Sequence, residues 1–86
     1  MSKDYRTSVK EFRNFLEEAL PSLFPREKVA ELTGGIISYR TMANLDFRKV
    51  GPPTIKVGRK VCYPKADFIE WAVNFYIHND NDNDND

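Results

Sequence analysis

The chain has 86 residues, of which 41% are hydrophobic and 13% aromatic, and its formal net charge is zero. This length allows one domain with one core, and the apolar content excludes disorder of the whole chain. No apolar stretch approaches the roughly 18 residues of a membrane-spanning helix, and the first residues lack the apolar segment of a secretory signal, so we expect a cytoplasmic protein without a membrane partner. The single cysteine excludes an intramolecular disulfide. Because the chain also has only one histidine, we expect no metal or other cofactor.

The net charge of zero conceals an uneven distribution. Residues 79–86 alternate Asn and Asp and hold four of the 13 acidic residues, so the rest of the chain has 13 basic against nine acidic residues, a net charge of +4. Within residues 36–65, seven basic residues stand against one acidic residue, a net charge of +6. Such an excess favours an anionic partner, with a merely solvated surface as the alternative. We expect one domain over residues 8–78, between a flexible N-terminus at residues 1–7 and a disordered tail at residues 79–86.

The first predicted element is an amphipathic helix over residues 9–20. Ser8 is followed three residues later by Glu11, which is the spacing of an N-terminal capping box. Pro21 ends the pattern, because proline removes a helical hydrogen bond. Between these limits, apolar residues recur at the spacing i, i+3, i+4, i+7 of one helix face: Phe12, Phe15, Leu16 and Ala19.

A second, shorter helix is predicted over residues 26–32. Phe24 and Pro25 precede it, and proline suits the start of a helix because its missing N–H would have no helical partner there. Gly34 and Gly35 follow it, and glycine ends helices because it adopts the left-handed backbone conformation without strain. The two glycines therefore predict a turn between this helix and the next.

A third helix is predicted over residues 39–47. Ser38 is a favourable N-cap, because its hydroxyl can accept a hydrogen bond from a backbone N–H of the first turn. Met42 and Leu45 are three residues apart and are expected to face the core. The opposite, exposed face then carries four residues: Tyr39, Arg40, Ala43 and Asn44.

Residues 51–53, Gly-Pro-Pro, exclude a continuing helix, and the segment after them predicts a β-hairpin. A two-residue turn would place the apolar residues of the two strands on opposite faces. A three-residue loop instead pairs Val57 with Val61 and Ile55 with Tyr63, which gives one apolar face. We therefore expect the longer loop, with Lys56 and Cys62 turned outward and with Arg59 and Lys60 at the tip.

A last helix is predicted from Pro64, which suits a first helical turn, to about Ile77. Its apolar residues recur at helical spacing: Phe68, Trp71, Ala72, Phe75 and Tyr76. This spacing assigns the aromatic residues to the core and not to a platform for stacking bases.

The order helix, helix, turn, helix, hairpin, helix predicts a mostly helical α+β fold. This order of elements is typical of a small winged helix-turn-helix with a two-stranded hairpin wing and flanking N- and C-terminal helices. In this arrangement a helix about 10–12 Å across enters the major groove of DNA, and the hairpin reaches the neighbouring backbone. The pattern therefore favours double-stranded DNA as the anionic partner.

Several ordered motifs carry a family resemblance that covers residues 24–72. They are FPREKVAELTGG at residues 24–35, SYRTMAN at 38–44, GPP at 51–53, KVGRKVCY at 56–63 and DFIEW at 67–71. Together they resemble the excisionase/AlpA family, which are small MerR-like winged-helix DNA-binding proteins of phages and integrated elements. The resemblance implies that the helix after Ser38 is the recognition helix and that Gly58, Arg59 and Lys60 form the wing tip.

The predicted recognition helix carries candidates for reading DNA bases. Arg40 has the donors to bind guanine in bidentate fashion, and Asn44 can pair with adenine in the major groove. Tyr39 is expected at a phosphate or in local packing. Thr41 has two interpretations, a DNA contact and a hydrogen bond within the first helical turn.

Cations beside this helix are candidates for contacts to the DNA backbone. Arg59 and Lys60 at the hairpin tip are expected to neutralise phosphate charge without selecting a base. Arg48, Lys49 and Lys56 are expected to support them, with a solvated surface as the alternative. The complete predicted DNA-binding set is Tyr39, Arg40, Thr41, Asn44, Arg48, Lys49, Lys56, Arg59 and Lys60.

The predicted function is sequence-specific DNA binding as an excisionase-like recombination directionality factor, which organises DNA near an attachment site. We expect no enzymatic activity, since the sequence offers no nucleophile-base pair, phosphate-cradling glycine loop or metal cluster. Because one small unit makes few base contacts, cooperative self-association on DNA or a recombinase partner is expected. Two alternatives stay open: a phage or mobile-element transcriptional regulator of the same fold, and a protein-protein interaction module that uses the helix 9–20 with Phe75 and Tyr76.

Overall fold

The computed structural model describes the backbone of residues 5–77 and the side chains of residues 9–77. The predicted tail, residues 79–86, and the first four residues of the predicted flexible N-terminus lie outside the described residues. The elements follow in chain order: α1 (Tyr5–Ala19), β1 (Leu23–Pro25), a 3-10 turn (Arg26–Lys28) continued by α2 (Val29–Leu32), α3 (Tyr39–Phe47), β2 (Ile55–Val57), β3 (Lys60–Pro64), α4 (Lys65–Ala72) and a π-helical turn (Val73–Ile77).

These elements form a mostly helical α+β fold, as predicted. The strands form one antiparallel sheet in the order β1-β3-β2, so β3 is the central strand. α2, the turn after it and α3 follow one another as in a helix-turn-helix, and the hairpin β2–β3, called the wing below, comes next. The architecture is therefore compatible with a small winged helix-turn-helix. None of the helices described in residues 5–77 is long and apolar enough to cross a membrane.

The core lies between the helices and the sheet. Phe24, Tyr63 and Phe68 are fully buried, and their ring centroids are 5.1–5.6 Å apart. Met42 and Leu45 of α3 are buried against the same cluster, which confirms the prediction from their spacing. Burial of each such side chain contributes roughly 1.5–3 kcal/mol, so this cluster fixes α3 to the sheet.

The N-terminal helix α1 begins three residues before Ser8, which therefore lies inside the helix and is not its N-cap. The predicted start was wrong because residues 5–7 contain no glycine or proline that would stop the helix. The predicted apolar face is confirmed at Leu16, which is fully buried. On the outer side, Arg13 forms an ion pair with Glu70 at 2.8 Å and links α1 to α4.

The predicted second helix is confirmed over residues 26–32, as the 3-10 turn continued by α2, whereas the strand β1 before it was not predicted. Phe24 pairs with Tyr63 of β3, and Pro25 has an extended backbone with φ −77° and ψ 149°. Proline is tolerated here because β1 is an edge strand, whose outer side needs no N–H donor. Pairing with β3 keeps Phe24 and Pro25 extended, and the helical turn begins at Arg26, as predicted. The hairpin consequently belongs to a three-stranded sheet and not to a two-stranded one.

The register of the hairpin also differs from the prediction. β2 and β3 pair Val57 with Lys60 and Ile55 with Cys62, around a two-residue turn at residues 58–59. The glycine of this turn has a φ of 63°, as the tight hairpin turns require. Lys60 is therefore the first residue of β3 and not part of the tip.

The prediction assumed that the hairpin has one buried face, whereas the central strand β3 has neighbours on both sides. Tyr63 faces the core beside Phe24, so Cys62 faces the other side of the sheet. Cys62, predicted to point outward, is only 6% exposed, because Pro25 and Ile55 flank it from the two adjacent strands. Ile55 on the edge strand stays exposed.

The link between α3 and the wing is fastened to the last helix. Trp71 Nε1 donates a hydrogen bond to the carbonyl oxygen of Val50 at 3.0 Å, and Pro52 in the same link is buried. The Trp71 ring stacks on Phe75 with 5.0 Å between centroids. The predicted last helix is confirmed over Lys65–Ala72 and continues as the π-helical turn to Ile77, but Pro64, predicted in its first turn, ends β3 instead. These contacts of Trp71 hold the base of the wing in place.

Candidate nucleic-acid interface

The start of α3 is fixed by its cap. Ser38 Oγ accepts a hydrogen bond from the backbone N–H of Thr41 at 3.0 Å, as predicted. The same hydroxyl donates to Thr41 Oγ1 at 2.9 Å. Thr41 therefore makes a hydrogen bond within the first helical turn, the local contact that was one of its two interpretations.

The turn before α3 is held by one buried hydroxyl. Thr33 Oγ1 donates to the carbonyl oxygen of Val29 at 2.7 Å and accepts from the backbone N–H of Ile37 at 3.1 Å. Gly34 and Gly35 between these anchors have φ of 64° and 85°, the left-handed region that favours glycine. The turn therefore has a defined shape and orients α3 relative to α2.

The exposed face of α3 is a row of four residues, called the α3 stripe: Arg40, Ala43, Asn44 and Phe47. Arg40 and Asn44 are exposed, as predicted, and Ala43 between them is half-buried. Phe47, considered from the sequence only as the end of the helix, is 86% exposed. A side chain at each of these positions can reach a partner that lies along α3.

Behind α3, one carboxylate joins the helix to the sheet and to the start of α2. Asp46 Oδ2 accepts from Arg26 Nη1 at 2.8 Å and from the hydroxyl of Tyr63 at 2.6 Å. The side chains of Arg26 and Asp46 are only 21% and 14% exposed. Hydrogen bonds to an ionised group are stronger than neutral ones, and this low exposure limits competition from water.

Gly51 provides the space for this carboxylate. A Cβ at Gly51 would collide with Asp46 Oδ1 and would lie 3.4 Å from its Cγ. Because two hydrogen bonds hold the Asp46 side chain, it could not move away freely. Glycine at position 51 is therefore required by the packing behind α3.

The surroundings of these groups shift their proton affinities. Burial raises the pKa of the Tyr63 phenol well above its ordinary value, and the hydrogen bond to Asp46 raises it further. Burial of Arg26 opposes its positive charge, but its hydrogen bond to Asp46 and the nearby negative charge outweigh burial, so the pKa of Arg26 is raised. Tyr63 and Arg26 therefore keep their protons at neutral pH and both remain donors to Asp46.

A cleft of about 400 Å³ opens between the start of α3 and the wing. It is lined by Arg26, Glu27, Tyr39, Arg59, Lys60 and Val61. The guanidinium carbon of Arg26 lies 5.6 Å from the centroid of the Tyr39 ring, and Arg26 Nε is buried without a hydrogen-bond partner among the described residues. The cleft thus brings three predicted DNA-binding residues, Tyr39, Arg59 and Lys60, together with one more cation.

Lys60 is partly neutralised inside this cleft. Its ammonium group forms an ion pair with Glu27 at 2.5 Å. The hydrogen bond from Lys60 lowers the pKa of Glu27, and the same bond raises the pKa of Lys60. Both side chains are more than half exposed, and pairs of this kind contribute little to stability. A stronger anion can therefore displace the carboxylate.

The remaining predicted cations lie away from the cleft. Arg48 and Lys49 are exposed immediately after α3, where Lys49 has a φ of 63°. The N–H of Val50 donates to the carbonyl oxygen of Leu45 at 3.0 Å, which completes a Schellman-type end to the helix. Lys56 is exposed in the middle of β2. Arg48 and Lys49 thus follow the far end of α3 and Lys56 lies on the edge strand of the wing, and none of the three lines the cleft.

Two residues of the candidate interface were not predicted from the sequence. Arg26 and Glu27 were predicted only as the first residues of the second helix, and the structure places both in the cleft. The one usable signal was Asp46, the only acidic residue within residues 36–65, which pointed to a structural partner for a cation. The identity of that cation depends on the fold, since Arg26 lies 20 residues away in the chain.

Comparisons with models of protein families, with curated proteins and with solved structures find no match to this chain. The resemblance of its motifs to the excisionase/AlpA family therefore stays a prediction.

Proposed function

We propose that this protein binds double-stranded DNA sequence-specifically, as an excisionase-like recombination directionality factor. In this proposal α3 enters the major groove and the wing follows the adjacent sugar-phosphate backbone. The observation that supports it most is the cleft, in which the first residue of α3 and the turn of the wing lie together among three cations. A single stretch of duplex can contact both elements at once.

The dimensions of α3 suit this role. A helix about 10–12 Å across fits the major groove, which is about 12 Å wide, and the nine residues of α3 give it a length of about 13.5 Å at 1.5 Å per residue. Because Met42 and Leu45 are buried, only the α3 stripe and its flanks are presented to the groove. In the proposal, Arg40 and Asn44 contact base edges, since their donors and acceptors match guanine and adenine.

The cations divide by position. Arg59 at the turn of the wing, with Lys60, contacts the phosphates beside the groove, and Tyr39 with Arg26 lines the same cleft. Arg48, Lys49 and Lys56 provide further backbone contacts at the far end of α3 and along β2. Phosphate contacts of this kind position the protein without reading sequence.

The protein then acts by assembly and not by chemistry. Because one copy contributes few base contacts, cooperative binding of several copies or contact with a recombinase supplies the remaining specificity. A transcriptional regulator of the same fold would dock in the same way and differ in the DNA it serves. As part of this proposal we place the protein in the cytoplasm, where it shares a compartment with its DNA.

The protein-interaction alternative relies on α1 together with Phe75 and Tyr76. Phe12 of α1 and Tyr76 pack edge to face with 6.2 Å between centroids, so part of this apolar surface is already covered within the chain. In the part of the chain that the structure describes, neither the α3 stripe nor the cleft is covered by another element in this way. This contrast favours DNA binding over the alternative.

Salt titration tests the proposal. With a duplex selected from a randomised library, the logarithm of affinity should fall linearly with the logarithm of salt, by about 0.9 for each phosphate contacted. Arg59→Ala should weaken all duplexes alike and reduce this slope by about 1. Lys10→Ala, which removes an exposed cation of α1, serves as the control and should leave the slope unchanged.

Two outcomes would contradict the proposal. If no duplex binds at low salt, the protein does not bind DNA in this way. If no duplex binds at low salt but a protein partner binds with an affinity that varies little with salt, the interaction-module alternative is correct.

Glu27→Gln should tighten DNA binding. The substitution removes the carboxylate that holds Lys60, which frees one cation for phosphate, so we expect a salt slope steeper by about 0.9 and affinity higher on the order of fivefold at low salt. Glu31→Gln is the matched control, because it removes the same charge from α2 outside the cleft. Equal gains for both variants in a binding titration would show that only net charge matters and that the pair with Lys60 does not restrain binding.

A further inference from the structure

Phe47 is more exposed than any other large hydrophobic residue in the part of the chain that the structure describes. Its exposed fraction is 86%, and the next in order is Ile36 at 59%. A phenylalanine left in water forgoes the hydrophobic gain that its burial would bring. The feature is therefore unfavourable for the free chain and points to a partner that contacts the ring.

The position of Phe47 on α3 indicates which partner. It stands seven residues after Arg40 and three after Asn44, and at about 100° per residue these three lie on one face of the helix. The rise from Arg40 to Phe47 is about 10.5 Å, which corresponds to about three base-pair steps at 3.4 Å each. A ligand that lies along the α3 stripe and meets Arg40 and Asn44 therefore also meets Phe47.

The charges around Phe47 indicate the chemistry of that ligand. Arg48 and Lys49 follow it directly and both are exposed, and Arg40 is exposed on the same face. An apolar side chain surrounded by cations is complementary to a polyanion that also presents an apolar group. In the major groove of DNA this group is the C5-methyl group of thymine.

We infer that Phe47 is a specificity-determining residue that contacts a thymine methyl group about three base-pair steps from the base read by Arg40. The inference rests on the proposed function. It adds an apolar contact to the base contacts proposed for Arg40 and Asn44.

Thymine-to-uracil scanning tests this inference. In the duplex selected for the wild-type protein, each thymine is replaced in turn by deoxyuridine, which removes only the methyl group. One replacement should weaken wild-type binding about fourfold, the effect of about one buried methyl group. Phe47→Ala should weaken binding to the unmodified duplex at least as much and should abolish the sensitivity to that one replacement.

The controls separate this contact from a general loss of binding. Phe15→Ala removes a partly exposed phenylalanine of α1 and should leave the uracil scan unchanged. Because Phe47 is largely exposed, its truncation leaves no cavity, and circular dichroism should show an unchanged fold. Phe47→Leu, which keeps an apolar group, should retain part of the sensitivity.

Each outcome of the scan decides one question. If no thymine is sensitive, or if the sensitivity persists in Phe47→Ala, the inference is wrong although the proposed function stands. If Phe47→Ala changes only self-association or binding to a recombinase, Phe47 contacts protein and the inference is again wrong. If the wild-type protein binds every duplex alike, the proposed sequence-specific function itself fails.

Discussion

Asp46→Ala should lower the free energy of unfolding by about 3 kcal/mol, which is a large part of the stability of a domain this small. The reason is that Asp46 accepts hydrogen bonds from both Arg26 and Tyr63. Its removal leaves a mostly buried guanidinium and a fully buried phenol without their acceptor. Urea unfolding followed by circular dichroism measures the change. An unaltered m-value would show that the substitution changes the compactness of neither the folded nor the unfolded state.

Three variants separate this network from the general effect of losing a charge. Glu18→Ala removes an exposed carboxylate of α1 and should stay within about 0.5 kcal/mol of the wild type. Asp46→Asn keeps the shape and one acceptor, so its loss should be smaller than that of Asp46→Ala. Tyr63→Phe should cost much less in the Asp46→Ala background than in the wild type, because the two residues share one interaction. Additive losses would contradict the assigned network.

The same carboxylate connects stability with the candidate interface. Asp46 lies on the back of α3, and its two donors belong to β3 and to the turn that opens α2. These are the elements that form the cleft with the start of α3. Loss of Asp46 is therefore expected to alter the position of α3 relative to the wing even in molecules that remain folded.

α3 could be predicted from the sequence because its signals are local. The cap at Ser38 requires only a hydroxyl within reach of Thr41, and the spacing of Met42 and Leu45 alone defines the buried face. Such features depend on neighbours within one or two helical turns. The exposed positions of Arg40 and Asn44 follow from the same geometry.

β1 and the hairpin register could not be predicted in this way. Nothing local in Phe24-Pro25 indicates a strand, because its partner Tyr63 lies 39 residues later in the chain. The register was inferred from the rule that a hairpin has one apolar face, and that rule fails for β3, where the successive residues Cys62 and Tyr63, on opposite faces, are both buried. The pairs of Arg26 with Asp46 and of Lys60 with Glu27 likewise join residues distant in the chain.

Arg40→Ala should reduce sequence specificity and not only affinity. A bidentate contact to guanine discriminates by about 1–3 kcal/mol, so we expect a loss of roughly 5- to 150-fold on the selected duplex and a small loss on a scrambled one. The structure leaves Arg40 exposed on the α3 stripe, between the cleft at one end and Phe47 at the other. Affinities for both duplexes at one fixed salt concentration measure the ratio.

Two matched substitutions determine whether Arg40 reads a base or a phosphate. Arg40→Lys keeps the positive charge but loses the planar fork of donors, so it should restore non-specific affinity without restoring specificity. Arg48→Ala removes an exposed cation just beyond α3 and should weaken both duplexes alike. If Arg40→Ala behaves as Arg48→Ala does, with the same change of salt slope and an unchanged ratio, Arg40 contacts the backbone. The base-reading part of the α3 stripe would then be limited to Asn44 and Phe47.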